Sequence, residues 1–335
     1  MFIVTPQREF FRVARKGLAL IGAAILALAG VFAATGTKGT VSSTQDAGRS
    51  GGHDHYLTVG RENETNIDIY YEDHGSGKPV VLIHGYPLSG ASWEKQVPAL
   101  LNAGYRVITY DRRGFGKSSQ PTEGYNYDTF AADLRQLVTQ LKLQDFTLVG
   151  FSMGGGEIAR YFGKYRSKGV SKAVFIGAVP PFLLKTADNP EGVDASVFEG
   201  IKKAVAADRY AFFTDFFKNF YNTDLLLGKR VSEDVVRASW NIAAGASATA
   251  SLACVSTWVE DFRENLKRVD VPTLVIHGDD DRIVPLAAAG QRTAKLVKGA
   301  RLVVIKGGPT RGHLDARRGS QCRTVELSWP NDRSA

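Results

Sequence analysis

The chain has 335 residues, 44% of them hydrophobic, which is enough to bury one substantial core. Its formal charge of +8 lies mostly at the ends: residues 1–38 carry five Lys/Arg against one Asp/Glu, residues 310–335 carry five against three, and +2 is left for the body. That distribution lacks the basic stripe that phosphate binding needs and excludes nucleic acid as a partner. The two cysteines, Cys254 and Cys322, fit neither a disulfide framework nor a zinc site, and Cys254 reads as a small buried apolar residue.

In chain order, "REFFRVARK" leads into "GLALIGAAILALAGVFAATG", Gly17 to Gly36, twenty residues without a charge. That length spans a bilayer as a helix. Residues 1–36 read either as a signal peptide, with its basic start and small-residue exit near Ala33 and Ala34, or as an uncleaved transmembrane anchor. Either makes the protein exported or membrane-anchored. Residues 37–55 are Gly/Ser/Thr-rich and read as a flexible linker, so the fold is expected to begin near Tyr56.

"YLTV" and "NIDIYYEDHG" alternate as an opening antiparallel pair. "PVVLIHG" is a continuously apolar strand of the kind buried on both faces. "ASWEKQVPALLNAG" predicts a helix stopped at Gly104, followed by the strand "YRVITYD" and the helix "DTFAADLRQLVTQLK". "DFTLVGFS" and "KAVFIGA" are strands around the helix "MGGGEIARYFGKY". "PTLVIHGDDD", "PLAAAGQRTAKLV" and "RLVVIKGG" close the pattern as strand, helix, strand. Repeated βα units imply a mostly parallel sheet flanked by helices, with residues 56–178 and 272–309 forming an α/β core. Residues 179–271 read instead as a helical cap. Within them "DRYAFFTDFFKNFY" sets Phe213, Phe216, Phe217 and Phe220 on one helix side, a stripe that is core or the inner wall of a pocket.

The chemistry concentrates in "GFSMG", Gly150 to Gly154. A G-x-S-x-G between an apolar strand and a helix is the setting in which a sharp turn lifts a serine hydroxyl above a sheet, and Ser152 is the expected nucleophile. Its oxyanion needs two donors, read as the backbone N–H groups of Met153 and of Tyr86 in "HGYPLSG". His84 braces that loop. The triad acid follows later in the chain, and of Asp279, Asp280 and Asp281 in "HGDDDRIVP" the last has the position of the orienting carboxylate. The other two read as solvated or turn-forming.

"VVLIHGYPLSGASWE", "VITYDRRGFGKSSQPTEGYNYDTFAADL", "LVGFSMGGGEIARY" and "TLVIHGDDDRIVP" together resemble the cofactor-free (non-haem) chloroperoxidases of the α/β-hydrolase superfamily, over about Asn66 to Pro309. The resemblance implies a serine hydrolase with Ser152 as nucleophile, Asp281 as acid, and Tyr86 and Met153 as oxyanion donors. It implies small-molecule esters or carboxylic acids as substrates, hydrogen peroxide and halide as co-substrates in perhydrolysis, and no metal or haem cofactor. The pair Tyr86 and Pro87 in "HGYP" resembles the perhydrolytic branch. Hydrolysis against perhydrolysis, and the oligomeric state, are not set by the sequence.

The tail departs from that pattern. The family resemblance calls for a histidine directly after Pro309, and Thr310 stands there. Residues 310–335 show no apolar period and read as an atypical, disordered tail. His313, the one histidine after Asp281, is the remaining candidate base or a bystander three residues beyond the expected place. Codons permitted by Thr310, Arg311, Gly312 and their successors, read from the second base, encode His-Gly-Val-Thr-Trp-Thr-His-Ala-Glu. That ending is family-like and suggests a one-base slip of the reading frame near codon 310. The sequence thus poses two alternatives, a complete hydrolase or a fold whose triad has lost its base.

Overall fold

The computed structural model describes residues 55–310, so the apolar segment 17–36, Cys322 and His313 lie outside the described residues. Eight strands form one sheet: β1 (Tyr56–Glu62), β2 (Thr65–His74), β3 (Pro79–Ile83), β4 (Arg106–Tyr110), β5 (Phe146–Phe151), β6 (Val170–Ile176), β7 (Thr273–Gly278) and β8 (Arg301–Ile305). Their spatial order is β1-β2-β4-β3-β5-β6-β7-β8. β1–β2 and β2–β4 pair antiparallel and every later pairing is parallel, as the sequence pattern predicts. Every residue of β5 and β7 is buried, which is why these strands are continuously apolar rather than alternating.

Chain direction across the sheet reverses at β3. From β3 the chain steps outward to β4, then returns to the opposite side for β5. In open α/β sheets the crevice beyond the carboxyl ends of strands at such a reversal is where ligands bind. The loops that follow β3 and β5 are "HGYP" and "SMG".

Helices α1 (Gln96–Asn102), α2 (Tyr127–Gln140) and α3 (Met153–Tyr165) accompany the first half of the sheet. α2 begins where the Asn126 side chain accepts the Thr129 N–H at 2.9 Å, an ordinary N-cap. The single helix expected over 91–104 is instead a 3-10 turn, Gly90–Trp93, followed by the short α1. Pro98 has no N–H to give the Glu94 carbonyl, so a continuous helix across that point loses a bond.

Between β6 and β7 the chain is helical: α4 (Ala195–Tyr221), α5 (Thr223–Leu226), α6 (Glu233–Ala244), α7 (Ala248–Thr257) and α8 (Arg263–Leu266). α4 is two helices joined at Asp208, which is extended at φ −158° and ψ 93°. Its carboxylate accepts the N–H groups of Tyr210 and Ala211 at 3.0 Å and so caps the second half. Phe213, Phe216, Phe217 and Phe220 are all buried on one side. The predicted helix from Pro285 is shorter, α9 (Gly290–Leu296), because residues 285–289 form a turn. Cys254 is fully buried and its thiol is pushed up to about 12 by that burial, which leaves it inert. Among the described residues no helix is long and apolar enough to cross a membrane.

Candidate active site

Ser152 stands between β5 and α3 at φ 54° and ψ −117°, a backbone state rare for a residue with a Cβ. The flanking glycines explain how the turn fits. A Cβ on Gly150 would lie 2.5 Å from the Gly154 carbonyl oxygen, and one on Gly154 would lie 2.5 Å from that of Ile83. The chain therefore turns against itself and against β3 in a space that admits no side chain at either position. Ser152 N–H donates to Ile176 at the end of β6, 2.9 Å, which ties the turn to the sheet. Only 7% of Ser152 is exposed.

The loop after β3 lies directly against this turn. A Cβ on Gly85 would be 2.9 Å from Ser152 Cβ. Met153 is the first residue of α3, so its amide points out of a helix N-terminus, where negative charge is favoured. The Tyr86 side chain is engaged elsewhere. Its hydroxyl donates to the Ser251 carbonyl at 3.0 Å, and its ring meets Trp258 and Phe216 edge-on at 4.9 and 6.0 Å. Neither the Tyr86 nor the Met153 amide donates to a backbone acceptor among the described residues. The phenylalanine stripe of α4 thus packs as core and also borders the site, since Phe220 stacks edge-on against Phe151 at 5.9 Å.

Asp281 follows β7 and is 7% exposed. Its Oδ1 accepts the N–H groups of Ile283 and Val284 at 3.0 and 2.8 Å and the Thr310 hydroxyl at 2.6 Å. Its Oδ2 has no hydrogen-bond partner among the described residues; His277 Nε2 lies 3.4 Å away but gives its bond to the Val284 carbonyl at 2.8 Å. Thr310 is fully buried. A Cβ on Gly177, the residue after Ile176, would be 3.4 Å from both Asp281 Oδ2 and the Thr310 carbonyl oxygen. The acid and Thr310 therefore lie beside the strand end that holds Ser152. Among the described residues neither hydrogen-bonds the Ser152 hydroxyl. Of the other two carboxylates, Asp279 accepts the Gly307 N–H at 2.7 Å and so serves the turn. Asp280 is not simply solvated: it accepts from Asn222 Nδ2 at 2.7 Å.

A second group of residues near Ser152 escapes a motif search. Arg112 and Glu157 form a fully buried ion pair, with Nε and Nη2 of Arg112 at 2.9 and 2.8 Å from Glu157 Oε2, while the Tyr110 hydroxyl donates to Oε1. Arg112 also donates its Nη2 to the His84 carbonyl at 3.0 Å and its backbone N–H to His84 Nε2 at 2.9 Å. Burial works against the charge on Arg112, but the adjacent Glu157 carboxylate outweighs it and holds the guanidinium above its ordinary pKa. The available signal was periodicity. Glu157 shares the α3 stripe with Met153, Ile158, Tyr161 and Phe162, all buried, so an acid there needs a partner.

No group of three or more His, Cys, Asp or Glu side chains able to hold a metal ion occurs among the described residues. Two hollows of about 450 and 430 Å³ are lined by residues of the helical insertion, among them Phe212 in one and Trp240 in the other; neither includes Ser152 or Asp281.

The sequence profile described as "alpha/beta hydrolase fold" matches residues 78–315. The chain is 64% identical over 254 residues to a putative non-heme chloroperoxidase of Synechocystis sp., covering 76% of this chain and 92% of that protein. It is 37% identical to a bifunctional esterase/perhydrolase of Acinetobacter calcoaceticus, covering 72% of this chain and 89% of that one. A bromoperoxidase of Bacillus anthracis superimposes with a TM-score of 0.73 at 53% identity, over 76% of this chain and 92% of that structure. Sheet order, helical insertion and these matches agree, and the chain belongs to the α/β-hydrolase fold family of enzymes.

Proposed function

We propose that the chain is a serine hydrolase of small carboxylic esters and acids, slowed by the residue at its base position. The observation that carries this reading is Ser152 on a strained turn at a helix N-terminus, tied to the same end of β6 that the buried Asp281 lies against. In the forward step Ser152 Oγ attacks the ester carbonyl and the alcohol leaves, giving an acyl-serine. The amides of Tyr86 and Met153 hold the oxyanion, each worth about 3 kcal/mol in the transition state. Water then returns a carboxylic acid and free Ser152. Hydrogen peroxide in place of water returns a peracid, which oxidises halide to hypohalous acid and becomes the carboxylic acid again. The names of the Synechocystis and Acinetobacter relatives support this second acceptor.

The proton of Ser152 needs a base. Thr310 occupies the place directly after Pro309, and its hydroxyl donates to Asp281 rather than accepting from Ser152. A hydroxyl group takes up no proton at neutral pH, so turnover falls to what the oxyanion donors and binding supply, about 10³–10⁴ over water. His313, outside the described residues, is the remaining base candidate in the tail.

Mass spectrometry after treatment with a fluorophosphonate tests the nucleophile. The reading requires the added mass on the Ser152 peptide and none in Ser152→Ala; modification at another serine overturns it. Bromination that depends on acetate and peroxide together then separates perhydrolysis from plain esterase activity.

A further inference from the structure

The last turn of α4 ends on Asn222, which is fully buried and left-handed at φ 48° and ψ 53°. Helices commonly stop in that backbone state, and asparagine enters it at less cost than most residues with a Cβ. The side chain caps neither α4 nor the α5 that follows. Its amide nitrogen donates instead to the Asp280 carbonyl at 2.9 Å and to Asp280 Oδ2 at 2.7 Å. A carbonyl and a carboxylate only accept, so the end of the amide that faces them is the nitrogen. Asn222 Oδ1 has no hydrogen-bond partner among the described residues, and the residue therefore serves as a donor.

Asp280 is anchored in its turn, since its N–H donates to the Gly308 carbonyl at 3.2 Å. Two further ties run alongside: Asp224 of α5 pairs with Arg282 at 2.8 Å, and Arg230 Nη1 donates to the Gly307 carbonyl at 3.2 Å. Both are open to solvent and hold weakly, which leaves Asn222 as the buried tie between the end of α4 and the loop after β7. The same stretch of α4 carries the aromatic wall. Phe220, two residues before Asn222, meets Phe151 at 5.9 Å, and Phe216 meets Tyr86 at 6.0 Å. Phe151 directly precedes Ser152, and Tyr86 follows the Gly85 that packs on the Ser152 Cβ. With Ser152 only 7% exposed, a bulky group arriving there has to displace these rings, and close-packed rings yield only if α4 moves.

We propose that Asn222 is a specificity-determining residue: its hold on Asp280 fixes the end of α4, and so limits the size of the acyl group that the Phe216 and Phe220 rings let onto Ser152. This rests on the role proposed above for Ser152. Asn222 touches no reacting atom and acts through α4, as a positioning residue. Without its amide the last turns of α4 lose their fixed end, and the wall yields to large groups while small ones meet little change.

Asn222→Gly removes the amide and keeps the left-handed backbone, which glycine adopts freely, so the helix end itself is spared. Asn222→Asp combined with Asp280→Asn reverses the pair, with the amide donating across to the carboxylate from the other side. Mass spectrometry would follow the rate of Ser152 sulfonylation by methanesulfonyl fluoride and by the bulkier phenylmethanesulfonyl fluoride. The ratio of bulky to small rates should rise about 10-fold in Asn222→Gly and return towards the parent value in the reversed pair. A fold that is merely loosened changes both rates together, so an unchanged ratio in Asn222→Gly overturns the inference. A ratio that rises equally in the reversed pair also overturns it. If neither reagent modifies Ser152 in the parent chain, the hydrolase reading fails, and hydrogen exchange decides whether Asn222 holds α4. Exchange over residues 213–222 and 279–283 should then quicken together in Asn222→Gly, and unchanged exchange there overturns the hold.

Discussion

Two buried carboxylates flank the site, and they are treated differently. Glu157 has both oxygens filled, one by Tyr110 and the other by Arg112. Asp281 crowds three donors onto Oδ1 and leaves Oδ2 with none among the described residues. An unpaired polar atom at full burial costs about 1–3 kcal/mol, so folds seldom retain one without use. On the Ser152 side the helix end, the loop after β3 and the ion pair hold one another, although Arg112 Nη1 too is buried without a hydrogen-bond partner among the described residues. On the Asp281 side one oxygen is open, and Thr310 donates its short hydroxyl to the other, which is already satisfied. The contrast lies in the carboxylates: Glu157 has a donor on each oxygen, Asp281 on one only.

Three experiments press on this contrast. The largest effect is expected from Glu157→Ala, which leaves Arg112 charged and unpaired in the interior. Stability to urea should fall by about 3–5 kcal/mol; a loss below 1 kcal/mol would mean that the ion pair does not hold the Ser152 side together.

The pH dependence of stability is next. The folded His84 resists protonation, whereas the unfolded imidazole takes a proton below its ordinary pKa of about 6.5. The unfolded state then binds the extra proton, so stability falls as pH is lowered, by about 1.4 kcal/mol per unit from this group, and is fully present above pH 7. Urea titrations at pH 7, 6 and 5 should show a steeper fall in the parent than in His84→Asn; equal slopes would contradict a ring kept neutral by its burial.

Smallest is Gly177→Ala on the acid side. Gly177 has φ +48°, and a Cβ there sits 3.4 Å from Asp281 Oδ2. The strain should cost about 1–2 kcal/mol, with the loss read by thermal melting. A cost near zero would mean that the strand end beside Asp281 is looser than the Ser152 turn.

Much of this was legible from the sequence, for reasons that differ by element. The strands were legible because burial on both faces forces continuous apolar runs, as in β5 and β7. α3 was legible because "SMGGGEIARYFGKY" carries both its start signal and its period. Helix ends decided by tertiary contacts were not: the break at Asp208 depends on a side chain turning back to cap, and the late start of α9 on the turn at 285–289. Of the candidate site, the positions of Ser152 and Asp281 could be foreseen because each sits at a strand end within a motif. His84 could be read as the brace of its own loop, but its link to Arg112 and Glu157 could not, since the three lie on separate segments and meet only in space. Thr310 was visible as a departure from the pattern, but its bond to Asp281 required the fold.

The central claim is that Asp281 serves a base which this chain replaces with Thr310. The most direct measurement is ester hydrolysis by Thr310→His, alone and with His-Gly-Val-Thr-Trp-Thr-His-Ala-Glu replacing residues 310–318, against the parent chain. A triad completed in this way should raise kcat by at least about 10²- to 10³-fold, and Ser152→Ala should abolish the gain. A parent chain already as fast as both variants, with activity lost in His313→Ala, would place the base in the tail and contradict the account.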